Sequence, residues 1–235
     1  MYLRPKNRVL LRYPVLLLVL IFLGACQNNA KKSIEQQALQ KSYLALGDSY
    51  TIGESVPEEM RWPNQLVAQL NGEQPLYQNP TLVARTGWTT DELLAAIESR
   101  NFNAPYDVVS LMIGVNNQYR GRSLENFRQE LITLLEQTLV FSGNNHSKVF
   151  VLSIPDWGVT PFAEGRDRNQ IAQEIDAFNA VIREECTARN IAFFDITPIS
   201  RLAKNDASLL AEDGLHPSGL MYQLWVNELI SFFNE

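Results

Sequence analysis

Tyr43-Leu44-Ala45-Leu46-Gly47-Asp48-Ser49-Tyr50 runs four apolar residues straight into a glycine, an acid and a hydroxyl. Consecutive apolar positions over a strand length, without alternation, are what a strand covered on both faces requires. Runs of the same kind recur at Thr81-Leu82-Val83-Ala84, from Val108 to Ile113, from Lys148 to Leu152 and from Ile191 to Phe194. Between them lie longer stretches with apolar residues at helical spacing. Thr89-x-x-Glu92 has the form of a capping box ahead of Leu93, Leu94 and Ile97, so a helix is predicted to start there. Leu124, Phe127, Leu131, Leu134, Leu135 and Thr138 mark a second stripe, and Ile171, Ile175, Phe178, Ile182 and Cys186 a third. Pro217 is placed at a first helical position, with Met221, Leu224, Trp225 and Leu229 as the inner face of the last helix. This rhythm predicts an α/β fold: a single-domain three-layer α/β/α sandwich around a parallel sheet of about five strands, joined by right-handed crossovers. No internal repeat and no second domain are visible.

With 235 residues, 46% apolar and 20% charged, the composition is that of an ordinary globular chain and excludes disorder, collagen and coiled coil. The formal charge is −6, and the first 25 residues carry Arg4, Lys6, Arg8 and Arg12 with no acid. Setting those four aside leaves 16 basic against 26 acidic residues. Such a body repels a phosphate backbone, so no nucleic-acid partner is expected. Two cysteines and two histidines fall short of the four clustered ligands of a structural zinc site, and neither a metal nor a cofactor is expected.

Ahead of the first strand lies an address. The basic residues up to Arg12 precede the eleven-residue stretch from Tyr13 to Leu23, too short to cross a bilayer and of the length of a signal-peptide core. Leu23-Gly24-Ala25-Cys26 resembles the lipobox of bacterial lipoproteins, in which the cysteine is acylated on sulfur and the peptide is cut just before it. The resemblance implies a signal peptide over 1–25, a lipidated Cys26 with a polar tether over 26–42, and a folded domain over 43–235. An ordinary secretory signal cut near Ala25 is the alternative. Gln27 is not the aspartate that marks inner-membrane retention in enteric-type bacteria, so the same resemblance implies the outer membrane where the host has one, and the cell envelope in any case. Cys186 is then the single thiol of the mature domain, and its place on an apolar helical stripe makes it a core residue rather than a reactive group.

Reactive groups of an open parallel sheet belong on loops at the carboxyl ends of its strands. There the sequence places Gly47-Asp48-Ser49-Tyr50 after the first strand, Arg85-Thr86-Gly87-Trp88 after the second and Gly114-Val115-Asn116-Asn117 after the third. Asp213-Gly214-Leu215-His216 stands before the last helix. Singly, each is what a plain turn is made of. Together they meet the needs of acyl transfer, in which a serine hydroxyl needs an imidazole to take its proton and a carboxylate to fix the tautomer of that imidazole. Ser49 and His216 supply the first two, and Asp213, three residues ahead, can reach the ring's other nitrogen across one turn. Three donors could hold an oxyanion: the backbone N–H groups of Ser49 and Gly87 and the side-chain amide of Asn116. His146, in a polar loop at the opposite end of the fourth strand, reads as an exposed loop histidine.

With these blocks the chain from about residue 43 to 235 resembles the SGNH (GDSL-type) hydrolase family, named for a Ser, Gly, Asn and His present here as Ser49, Gly87, Asn116 and His216. Trp62-Pro63, the long helix before the fifth strand and the ending Asp213-Gly214-Leu215-His216-Pro217 look most like its bacterial lysophospholipase/thioesterase-type esterases. The resemblance implies a flavodoxin-like fold and chemistry without a cofactor. Ser49 would be the nucleophile, His216 general base and then acid, Asp213 its orienter, and Ser49, Gly87 and Asn116 the oxyanion hole. Two positions depart from the pattern. Tyr50 stands where the family name has leucine, a position outside the chemistry. Asn117 stands where the usual third block has an aspartate, a change expected to alter loop bonding rather than abolish turnover. The elbow G-x-S-x-G of the α/β-hydrolases does not fit, since Thr51 stands two residues after Ser49.

The implied function is a lipid-anchored serine esterase that cleaves carboxylic ester or thioester bonds, such as those of lysophospholipids or short- and medium-chain acyl esters, through an acyl-Ser49 intermediate. A carbohydrate O-acetylesterase and a non-catalytic surface lipoprotein on the same scaffold are the alternatives. The expected partners are a small acyl ester in the site and the membrane through Cys26. Trp157 and Phe162, in the loop after the fourth strand, either line an acyl pocket or pack as a lid. Because the base must be a neutral imidazole, activity is expected to fall below about pH 6 to 7.

Overall fold

β1 (Tyr43–Gly47), β2 (Thr81–Ala84), β3 (Val108–Met112), β4 (Val149–Leu152) and β5 (Ala192–Phe194) pair in parallel in the order β2-β1-β3-β4-β5. The computed structural model describes residues 1–2 and 40–233, so the signal peptide and Cys26 read from the sequence lie outside the described residues. Every residue of β1, β3 and β4 is buried, whereas the edge strands β2 and β5 are only partly so. Central strands carry helices on both faces, which is why their sequences are apolar without alternation. Register brings Gly47 opposite Ala84 on one side and Met112 on the other, so three strands end on one line. Gly47 is required there: a Cβ would lie 2.1 Å from Thr51 Oγ1 and 2.5 Å from the Met112 carbonyl.

The helices among the described residues are α1 (Ser49–Ile52), α2 (Trp62–Asn71), α3 (Thr90–Glu98), α4 (Val115–Tyr119), α5 (Leu124–Phe141), α6 (Arg168–Ala188), α7 (Thr197–Arg201) and α8 (Gly219–Leu229). From β1 the chain steps one way to β2 and then the other way through β3, β4 and β5. Right-handed crossovers therefore put α2 on the face opposite α3, α5 and α6. The packing agrees, with α2 against α8 and α5 against both α3 and α6. This is the three-layer sandwich with the flavodoxin-like strand order. On the α2/α8 face the Phe150 ring sits within 6.4 Å of the rings of Tyr43, Trp62, Phe194, Phe232 and Phe233. On the other, Phe127 meets Phe178 at 4.7 Å. Each such side chain, fully buried, contributes about 1.5–3 kcal/mol by transfer from water.

The capping box at the start of α3 is present, with both Thr89 and Glu92 engaged. Cys186 is fully buried, and burial pushes its thiol up to about 12. Two boundaries differ from the sequence reading. Pro217 does not open α8; it pairs with Leu210 in an isolated antiparallel bridge, and the Ser218 hydroxyl caps the helix by accepting from the Met221 N–H. A cap that satisfies a free helical N–H takes precedence over a proline that merely fits. Lys41 and Ser42, assigned to the tether, are bonded to the body. Lys41 pairs with Tyr77 in a parallel bridge beyond the start of β1, and the Ser42 N–H and hydroxyl donate to the Asp107 carboxylate at 2.9 and 3.1 Å.

Candidate active site

β1 and β3 are neighbours whose chains leave in opposite directions, and such a switch point opens a crevice beyond the strand ends. A cavity of about 150 Å³ lies there. Ser49, Gly87, Asn116 and His216, from four separate loops, all line it.

Asp48 Oδ1 accepts the Tyr50 N–H at 3.0 Å and so caps the short helix α1, leaving Ser49 as its first residue. An N–H in that position has no acceptor within its own helix. Burial pushes the Asp48 carboxyl up to about 7, against the pull of the Tyr50 and Asp48 N–H groups and the Asn116 amide. His216 is buried and places Nδ1 2.6 Å from Asp213 Oδ2. With that nitrogen donating to the carboxylate, Nε2 is left as the basic one. Asp213 is itself fixed: Oδ1 accepts the N–H groups of Leu215 and His216, each at 2.9 Å, and Oδ2 accepts the Ser55 hydroxyl at 2.6 Å. Partial burial works to raise the Asp213 carboxyl, but these hydrogen bonds from Ser55, His216 and Leu215 hold it well below the usual range.

Ser55 was not legible as a site residue. It is a non-glycine at φ 64°, and its partner is 158 positions away in the chain. Left-handed backbone at a serine is uncommon and gathers where surrounding structure requires it. Tyr50 also departs from expectation. It is not remote from the site: it is buried, lines the cavity and holds its ring 5.2 Å from the His216 ring.

Gly87 lies at φ 85°, where a side chain would be strained, and its carbonyl accepts from Arg120 Nη2 at 2.6 Å. Asn116 Nδ2 donates to the Trp88 carbonyl at 3.0 Å and stands 3.4 Å from Asp48 Oδ2. Asn117 is fully buried; its Oδ1 accepts the Thr90 N–H at 3.1 Å and its Nδ2 donates to Thr90 Oγ1 at 2.6 Å. The Thr90 hydroxyl then donates to Glu130. An amide can give and accept at once, so the loop after β3 is tied to the start of α3 with every polar atom of Asn117 engaged.

Trp157 and Phe162 line the cavity beside Tyr119. Trp157 Nε1 donates to Gln118 Oε1 at 2.7 Å, and the Phe162 N–H reaches the Gly214 carbonyl at 3.3 Å, which ties this loop to the one bearing His216. His146 is exposed at the amino end of β4, away from the cavity, with Nδ1 2.6 Å from the Arg189 carbonyl. Among the described residues no group of three or more His, Cys, Asp or Glu is placed to hold a metal ion.

The profile of the GDSL-like lipase/acylhydrolase family matches residues 45–224. The chain belongs to that family. Several solved structures share the fold. A lipase/acylhydrolase from Enterococcus faecalis is 20% identical with a TM-score of 0.61, over 82% of this chain and 94% of its own. TesA is 18% identical at 0.62, over 82% and 98%. An acetylxylan esterase from Geobacillus stearothermophilus is 17% identical at 0.64, over 83% and 94%. No curated protein matches the chain. As a GDSL-family protein, it is an ester hydrolase.

Proposed function

We propose that Ser49, His216 and Asp213 are the catalytic triad of a serine esterase that works through an acyl-Ser49 intermediate. The observation that carries this reading is the convergence of Ser49, Gly87, Asn116 and His216 on one cavity, with Asp213 2.6 Å behind the imidazole. His216 Nε2 takes the Ser49 proton as Oγ bonds to the ester carbonyl carbon. The carbonyl π electrons move to oxygen, and the oxyanion is held by the N–H groups of Ser49 and Gly87 and by the Asn116 amide. Collapse breaks the bond to the leaving alcohol or thiol, which receives the proton from His216. Water, deprotonated by the same imidazole, then releases the acid and restores Ser49.

The tether joins the body at Lys41, beside the amino end of β1, the end of the sheet opposite the cavity. Lipid on Cys26 would hold such an enzyme at the cell envelope, and the substrate would be a small acyl ester. Labelled palmitate should enter the wild-type chain in a bacterial host and not Cys26→Ala; equal labelling would exclude the anchor. A carbohydrate O-acetylesterase is the second reading, favoured by a cavity small enough to suit an acetyl group.

Hydrolysis of p-nitrophenyl esters by the protein and its Ser49→Ala variant tests the mechanism, with a loss of at least about a thousandfold expected. More than a few per cent of residual turnover, or failure of a fluorophosphonate to label Ser49, would overturn it. Labelling without turnover of aryl esters would move the assignment to the deacetylase.

A further inference from the structure

Three rings surround one side of the cavity. Trp157 is buried at its base, and Tyr119 and Phe162, each nearly half exposed, stand over it with every pair of ring centroids within 6.1 Å. Trp157 is fixed from behind through Gln118, whose amide donates to Glu174 at 2.7 Å. The Arg166 guanidinium lies 5.1 Å from the Tyr119 ring and 5.5 Å from the Trp157 ring, and it donates to the Tyr119 hydroxyl at 3.2 Å. Two of the walls are therefore braced. No side-chain hydrogen bond or cation contact braces the Phe162 ring; its backbone N–H reaches Gly214, and the ring meets Trp157 edge-on and Tyr119 at a tilt.

We propose that this aromatic side of the cavity receives the acyl chain, and that Phe162 sets the longest chain admitted, so that the preferred substrates carry acyl groups of about two to six carbons. The inference rests on the acyl-Ser49 reading and deepens it. The cavity volume, about 150 Å³, equals that of an enclosed apolar site that takes a guest of about six carbons such as benzene, and so bounds the chain its walls can cover. The leaving group must depart to water, whereas the acyl group stays on Ser49 through the second half of the reaction and gains most from an apolar wall. A longer chain has to displace an outer wall, and Phe162 is the one not braced from behind.

The test is a series of p-nitrophenyl esters, from acetate to decanoate, hydrolysed by the full chain in detergent. For the wild type, kcat/KM should rise by up to about fourfold per methylene from acetate to butanoate and fall at least about tenfold by octanoate. Phe162→Ala should raise the octanoate-to-butanoate ratio at least about tenfold, and Phe162→Trp should lower the hexanoate-to-acetate ratio. Ratios taken within one preparation cancel any loss of folded protein. The proposal is overturned if the wild type hydrolyses octanoate as well as butanoate, or if Phe162→Ala leaves the ratio unchanged. It is equally overturned if the substitution shifts preference along a series of alkyl acetates, from methyl to octyl, instead of along the acyl series. Absence of Ser49-dependent turnover on every ester, with no fluorophosphonate label on Ser49, is a different result, and it removes the acyl-Ser49 reading itself.

Discussion

His216 and His146 each place Nδ1 2.6 Å from an oxygen, the Asp213 carboxylate in one case and the Arg189 backbone carbonyl in the other. The surroundings differ further. His216 is buried against Tyr50 and lines the cavity with Ser49, while His146 lies exposed at the far end of β4. A short bond to Nδ1 fixes a tautomer in both; under the proposed mechanism only His216 can serve as a base, because it shares a cavity with Ser49. The partner matters as well, since a carboxylate stabilises the imidazolium formed during turnover and a carbonyl does so far less.

Deleting each ring separates the two histidines most. His216→Ala should lower kcat about ten-thousandfold or more. His146→Ala should leave kcat within twofold and stability within about 1 kcal/mol, the net worth of one hydrogen bond. Comparable losses at the two positions, in steady-state assays on one ester, would remove His216 from its assigned role.

A smaller effect is expected one shell further out. Ser55→Gly removes a donor to Asp213 while suiting the left-handed backbone at φ 64°. It should lower kcat about three- to tenfold with KM little changed, and the melting temperature should stay level or rise. Ser55→Asn, which tolerates that backbone and carries a donor, should recover part of the loss. If the glycine variant lost stability and kept its kcat, the hydroxyl would belong to the fold alone.

The least effect concerns the two carboxylates that flank the site, one held down and one held up. The folded value of Asp48 is about 7 against an ordinary 3.8, so the folded protein binds that proton more tightly than the unfolded chain does. The cost of burying it is full above pH 7 and is relieved as pH falls toward 4. Between pH 8 and pH 6 one such group adds on the order of 1 kcal/mol of stability, a rise of a few degrees in Tm. Asp48→Asn should flatten that slope in thermal melts; an unchanged slope would assign it to another group. Asp213 acts in the opposite sense, lending stability above about pH 4 that is lost as its carboxylate protonates in stronger acid.

Much of this was written along the chain because its cause is local or periodic. The three central strands are apolar on every position since both of their faces are covered, and the block Asp213 to His216 puts acid and base within one turn. What could not be read depends on approach across the fold. Ser55 meets Asp213 from 158 positions away, and nothing in Glu-Ser-Val marks it. Tyr50 looked peripheral because its place in the motif says nothing of the ring that packs on it. Asn117 read as a loss, yet an amide can do at Thr90 what a carboxylate cannot, by donating to a hydroxyl that is itself given to Glu130. Pro217 misled because its neighbour Ser218 offers the helix a better cap.

The loop from Asp213 to His216 is closed on itself by the Leu210–Pro217 bridge and the Ala211 N–H to His216 carbonyl bond of 2.8 Å. It travels with α8, whose buried Met221, Trp225 and Leu229 face inward with α2 as its neighbour. Ser49, Gly87 and Asn116 all lie upstream of the exposed segment 204–206. Severing the chain there would yield a long piece holding the proposed nucleophile and oxyanion donors and a short piece holding the proposed acid and base. On that proposal neither piece alone would hydrolyse an ester, and the short piece carries its own apolar means of return, so hydrolysis would become a signal that two halves have met.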